Sequence, residues 1–245
     1  MAVKQSINTG FSHHFDELIR REARMSRTKP AFAATVVGAL CLLLTPALAA
    51  AGTIEGTVTD AGSAAPVEGI NVCAYGPSES CVATNANGEY SLAGLETGSY
   101  KVEFNGIESG LNYITEYYND KSTFEKAEAV NILGESVASG IDAALAVGGR
   151  ITGTVTDEAT AEPINGVTVC GFVIGTNIIS CAETTATGAY TVIGLPTSSS
   201  YKVEFDGEPE YELEYYNNKF SPIKATSVGV TAGATTSGIN AQLAP

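Results

Sequence analysis

Beyond residue 52 the chain alternates apolar and polar positions with a period of two. Ile54, Gly56 and Val58 alternate with Glu55, Thr57 and Thr59, and Tyr100, Val102 and Phe104 alternate with Lys101 and Glu103. Successive side chains of a strand point to opposite faces, so each run predicts a strand with one face on a core and the other in water. Turn signals punctuate the runs at Asn87-Gly88, Gly94, Gly98, Asn119-Asp120 and Gly140. One short helical segment is expected over 122–127. About seven short strands in under about 100 residues predict an all-β sandwich.

The same set of motifs occurs twice. Gly56-Thr57-Val58-Thr59-Asp60 returns as Gly153-Thr154-Val155-Thr156-Asp157, and Cys73 returns as Cys170, both 97 residues later. Cys81 returns as Cys181 after 100 residues. Tyr100-Lys101-Val102-Glu103-Phe104 recurs as Tyr201-Lys202-Val203-Glu204-Phe205, and Glu116-Tyr117-Tyr118-Asn119 as Glu214-Tyr215-Tyr216-Asn217. Ser139-Gly140-Ile141 matches Ser237-Gly238-Ile239. A unit this long can hold a complete core of its own, unlike a short solenoid repeat. The expected division is an N-terminal extension and signal segment at 1–51, one sandwich at 52–147 and a second at 148–245. The join falls at Val147-Gly148-Gly149, which leaves the two sandwiches end to end with limited freedom.

The N-terminus does not belong to this pattern. Residues 31–51 are almost wholly apolar, follow Arg27 and Lys29, and end in Ala47-Leu48-Ala49-Ala50-Ala51. A basic flank, an apolar run and an Ala-x-Ala exit read as a secretory signal peptide cleaved after Ala49 or Ala51. The alternative is an uncleaved anchor, since about 20 apolar residues can span a bilayer. Leu40 stands before Cys41, where a lipidated cysteine follows Gly or Ala. Met25 offers a start with a shorter basic region. No sorting motif or apolar span follows the last strand motif at the C-terminus.

Charge then narrows the function. Of 13 Lys and Arg and 27 Asp and Glu, six basic and three acidic residues precede position 50, which leaves seven basic and 24 acidic. Nucleic acid and anionic membrane surfaces both reward Lys and Arg, so neither is expected as a partner once the signal segment is gone. Both histidines, His13 and His14, also lie in the N-terminal part. General acid–base catalysis most often uses His, so no enzyme and no catalytic residue is expected.

Of five cysteines, Cys41 sits in the signal segment, and four remain. Ile70 and Val72 point inward on the second strand, which turns Cys73 to the opposite face, as Val169 does for Cys170. Seven residues separate Cys73 from Cys81, and ten separate Cys170 from Cys181. A hairpin accommodates both gaps, so disulfides Cys73–Cys81 and Cys170–Cys181 are expected in an exported protein. Neither gap has the C-x-x-C form, and no His completes a zinc site.

Taken in order, Gly153–Asp157, Pro163–Val169, Thr184–Tyr190, Gly194–Pro196 and Tyr201–Phe205 resemble the carboxypeptidase regulatory-like domain family. Copy one departs at Ala93-Gly94-Leu95-Glu96, without the proline. The resemblance implies two tandem seven-stranded, Ig-like or prealbumin-like sandwiches, related to collagen-adhesin B-type repeats and to starch-binding-like domains. It implies nothing of a catalytic domain. Some B-type repeats carry a Lys–Asn isopeptide bond from the first strand. The first strands here, 53–60 and 150–157, hold no Lys, and no such bond is expected.

Two surface chemistries remain. Tyr117, Tyr118 and Asn119, with Tyr215, Tyr216 and Asn217, could stack on a sugar ring and bond its hydroxyls; alternatively, alternate tyrosines fill the core and edge. Asp60, Asp120, Asp157, Asp206 and Glu208 are oxygen ligands of the kind calcium takes, or a solvated acidic surface. No cofactor other than calcium is a candidate. The function expected is a non-catalytic, secreted or surface-associated structural or adhesive protein, with an extracellular glycan or surface protein as partner. The alternatives are a carbohydrate-binding module, or an accessory module to an enzyme encoded elsewhere.

Overall fold

The computed structural model of the protein describes residues 51–245. The signal segment, cleavage sites and Met25, apart from Ala51 itself, lie outside the described residues. Among the described residues no helix is long and apolar enough to cross a membrane.

In the first module β1 (Gly52–Asp60) pairs antiparallel with β4 (Glu89–Leu95). On its other flank β1 runs parallel to β8 (Val137–Ala138) and then to β9 (Ala143–Leu145). The facing sheet places β3 (Glu79–Ala83), β2 (Asn71–Tyr75) and β5 (Gly98–Asn105) side by side. Short strands β6 (Glu116–Tyr117) and β7 (Val130–Ile132) both pair with β5. Since β6 and β7 share one strand position and β8 and β9 another, each module is a seven-stranded sandwich with two interrupted strands. The expected helical segment is a single 3-10 turn, Phe124–Lys126, inside the interruption between β6 and β7.

The second module repeats this plan. One sheet has β10 (Gly149–Asp157) between β13 (Ala189–Leu195) and the pair β17 (Thr235–Thr236) and β18 (Ala241–Leu243). The other has the order β12 (Ile179–Glu183), β11 (Thr168–Val173), β14 (Ser198–Asp206), with β15 (Glu214–Tyr215) and β16 (Val228–Val230) on β14.

Alternation becomes burial as the period requires. Ile54, Val58, Tyr100, Val102 and Phe104 are fully buried in one core, and Ile151, Val155, Tyr201, Val203 and Phe205 in the other. In each core a tyrosine meets a phenylalanine edge-on, with ring centroids 6.0 Å apart: Tyr90 with Phe104, and Tyr190 with Phe205. The Tyr90 hydroxyl donates to the Ile141 carbonyl at 2.6 Å, and Tyr190 donates to the Ile239 carbonyl. A buried phenol thereby finds the partner it needs. The repeated motif glycine follows from the same contact. A Cβ on Gly56 would lie 2.1 Å from the Ile141 oxygen, and one on Gly153 would lie 2.0 Å from the Ile239 oxygen.

Disulfides join Cys73 to Cys81 and Cys170 to Cys181 across directly paired positions of each hairpin. Cys73 and Cys170 lie on the face away from the core, yet they are buried under neighbouring side chains. Asn71 Nδ2 sits 3.5 Å from Cys73 Sγ as part of that cover.

Candidate functional site

Leu145 closes the first core and Ile151 opens the second. Of the five residues between them, Ala146 accepts from the Ile114 N–H at 2.9 Å, and Gly148 is held by the side chain of Asn112. Asn112 Nδ2 donates to the Gly148 carbonyl at 2.6 Å, and Asn112 Oδ1 accepts from the Gly194 N–H at 2.9 Å. The Gly148 N–H in turn donates to the Asn112 carbonyl at 2.9 Å. Asn112 thus uses its amide and its backbone oxygen to bind the joining residue Gly148 and strand β13 of the second module. The glycines make room for this: a Cβ on Gly148 would fall 2.6 Å from Gly194, and one on Gly194 would fall 2.5 Å from Ile107.

Gly194 has φ +73, and its counterpart Gly94 has φ +81 with open space around it. Alanine at either site pays the left-handed penalty of about 1 kcal/mol. Only at Gly194 does it also push against Ile107. Gly194→Ala is expected to destabilise more than Gly94→Ala, and the difference, read by denaturant titration of both variants, measures the junction.

Beside the junction lies a groove of about 670 Å³. Its first-module wall includes Glu103, Ile114, Tyr117 and Phe124, and its second-module wall includes Ile179 and Pro196. Phe124 is T-shaped to Tyr75 at 6.0 Å and to Tyr117 at 6.1 Å, with the Lys101 ammonium 4.9 Å from its ring centre. Glu103 accepts from the Tyr75 hydroxyl at 3.0 Å and the Tyr117 hydroxyl at 3.2 Å. Burial, and then the Glu103 charge, push the Tyr117 phenol up to about 12. The second wall exists because the β11–β12 hairpin is three residues longer than β2–β3, the difference between the disulfide separations of 11 and 8.

The six residues read from sequence as a sugar surface do not come together. Tyr118 and Tyr216 pack against the two cores. Tyr215 is buried against Phe172, ring centres 6.4 Å apart. Asn119 and Asn217 adopt positive φ, 33° and 69°, and anchor their turns through Glu128 at 2.9 Å and Thr226 at 3.2 Å. Of the six, Tyr117 alone lines the groove.

The acidic loop residues serve local turns. Asp60 Oδ1 accepts from the N–H groups of Gly62 and Ser63 and from the Ser63 hydroxyl, and Asp157 Oδ1 accepts likewise from Ala159 and Thr160. These bonds, led by the Ser63 hydroxyl and by the Thr160 N–H, hold both carboxyls below the usual carboxylate range. Asp206 accepts from the Glu208 N–H at 3.1 Å. Among the described residues no three His, Cys, Asp or Glu gather into a metal site.

Glu116 stands apart. Burial, and then the neighbouring Asp120, raise its carboxyl to about 7. The folded state therefore holds a proton that the unfolded chain releases near pH 4.5. Stability from this group is complete at low pH and is lost as pH rises from about 4.5 to about 7. Burial raises Glu214, at the same place in the second module. Glu116→Gln is expected to flatten the pH dependence of stability over that range, measured as denaturation midpoints from pH 4 to 8.

Sequence reading did not single out Ile107, Asn112, Phe124 or Ile179. Their signal is a difference between the copies. Ile107, after Asn105-Gly106, corresponds to Glu208 after Asp206-Gly207, and Asn112 before Tyr113 corresponds to Glu210 before Tyr211. Pro196 corresponds to Glu96.

Residues 53–119 match a family model described as carboxypeptidase regulatory-like domain, which covers most of the first module. No curated protein matches the chain. Among solved structures, the chain is similar to the TIE protein of Bacillus anthracis at 13% identity, covering 80% of this chain and 34% of that one, with a TM-score of 0.33. It is similar to GBS52, the minor pilin of Streptococcus agalactiae, at 12% identity, 79% and 95% coverage, and TM-score 0.36. It is also similar to the shaft pilin SpaA of Lactobacillus rhamnosus GG at 12% identity, 80% and 97% coverage, and TM-score 0.33.

Proposed function

We propose that this chain, whose first module is a carboxypeptidase regulatory-like domain, is a non-catalytic structural or adhesive protein of the cell exterior. The observation that carries the reading is the Asn112 clamp, which binds two complete sandwiches into one unit and opens a groove between them. A spacer or adhesin gains from fixed geometry between modules, because no binding energy is then lost in ordering them. Two disulfides suit an oxidising compartment. That Tyr118 and Tyr216 pack partly buried against the cores supports this reading over a sugar-binding one.

The test is a binding screen of the purified protein over immobilised matrix proteins and glycans, with and without calcium, run beside Asn112→Ala. Protein binding that weakens in Asn112→Ala supports the reading. No binding to either class favours a spacer over an adhesin, and binding confined to glycans overturns the reading.

A further inference from the structure

The β12 strand is an edge, with β11 on one side and nothing paired to it on the other among the described residues. Its hydrogen-bond phase is fixed at both ends: the Thr184 N–H donates to the Val167 carbonyl, and the Val173 N–H to the Ile178 carbonyl. Antiparallel pairing alternates, so Ser180 and Ala182 bond to β11, while Ile179, Cys181 and Glu183 direct their N–H and C=O groups off the edge. Such a row is a template for another strand unless charge or proline blunts it. The start of β12 is not blunted. Ile179 is 61% exposed, where the corresponding strand of the first module begins with Glu79.

The edge borders the groove, whose lining includes residues 178 to 181. The wall opposite is apolar and acidic. Its two carboxylates are held by neutral donors, Glu103 by two tyrosines and Glu108 by Asn71 Nδ2 at 2.7 Å. Their charge is left uncancelled by these partners. Phe124 meets the Tyr75 and Tyr117 rings at 75° and 84°, so its face and theirs do not form one continuous stacking surface for a flat sugar.

We propose that β12 takes up an extended, cationic peptide segment by strand addition, with the peptide's Lys or Arg side chains facing Glu103 and Glu108 and its alternate apolar side chains on the opposite face. Backbone pairing supplies affinity and the alternating side chains supply selectivity. The inference rests on the adhesive reading and gives it a ligand class.

The probe is acetyl-Lys-Val-Lys-Val-Lys-Val-amide carrying a fluorophore, titrated with the full chain and read by anisotropy. Two further peptides are N-methylated at all Lys or at all Val, so that each removes the amides of one register. The Ile179→Pro variant removes an N–H that points off the edge and leaves the β11 pairing intact. Circular dichroism verifies its fold, and Glu103→Gln with Glu108→Gln tests the charge. Saturable binding that falls about tenfold in Ile179→Pro, and likewise for one N-methylated peptide, supports strand addition. Equal binding of all peptides and of Ile179→Pro, competition by neutral glycans, or no binding overturns it. If the protein still binds a matrix protein while the peptide fails, the adhesive reading stands and this inference falls.

Discussion

Phe205→Ala is expected to lower the stability of the second module by about 3–5 kcal/mol, the range for removing a fully buried aromatic ring. Phe205 is wholly buried. Its loss also removes the edge-on partner of Tyr190. That tyrosine holds the Ile239 carbonyl, so the damage spreads from the sheet of β14 to the sheet of β10. The two cores share no residue, so the effect should be confined. A denaturant titration should resolve two transitions in the variant, with only the second module's moved substantially. Phe104→Ala should give the mirror result. A single transition shifted as a whole would mean that the Asn112 clamp couples the modules more strongly than its three hydrogen bonds suggest.

Removing the Cys170–Cys181 disulfide, as Cys170→Ser with Cys181→Ser, should cost about 2.5–3 kcal/mol on the chain-entropy account, through the freedom regained by the unfolded chain. The Cys73–Cys81 loop is shorter, with separation 8 against 11, so its removal should cost slightly less. The native structure adds a second term. Cys73 and Cys170 are covered, and serine there buries a hydroxyl that must find a partner. Paired Ala and Ser variants of each bridge, compared by midpoint in urea, separate the two contributions. A loss under about 1 kcal/mol for both bridges would show that the hairpins hold their shape without them.

The fold was legible because its signals are local and doubled. Period-two alternation at Ile54–Val58 and Tyr100–Phe104 marked core strands, and the second copy repeated each mark. The interrupted strands were not legible. β6 and β15 are two residues long, and the Tyr-Tyr pairs within and beside them read equally as surface or support. Packing decided that Tyr118 and Tyr216 lean on the cores. The groove was the least visible feature, because no motif encodes it. It forms where Phe124 of one copy faces the lengthened hairpin of the other, and each half looks ordinary in its own repeat. What could have exposed it was to ask where the copies disagree, since Ile107 against Glu208 and Asn112 against Glu210 mark the contact that only one of them makes.

That disagreement gives the duplication a direction. The rim of the first module offers Ile107 and Asn112 to Gly194, whereas the same rim of the second module offers Glu208 and Glu210. The receiving turn of the first module carries Glu96 in place of Pro196. Wherever a second copy preceded a first, two like charges would confront a third, and a second copy in any case lacks the Asn112 side chain that makes the clamp. A tandem assembled from the second copy alone should fold as beads on a string rather than as a locked pair. Copying the pair would set Glu208 and Glu210 of one pair against Glu96 of the next, so lengthening such a protein as a locked rod would first require rewriting one rim.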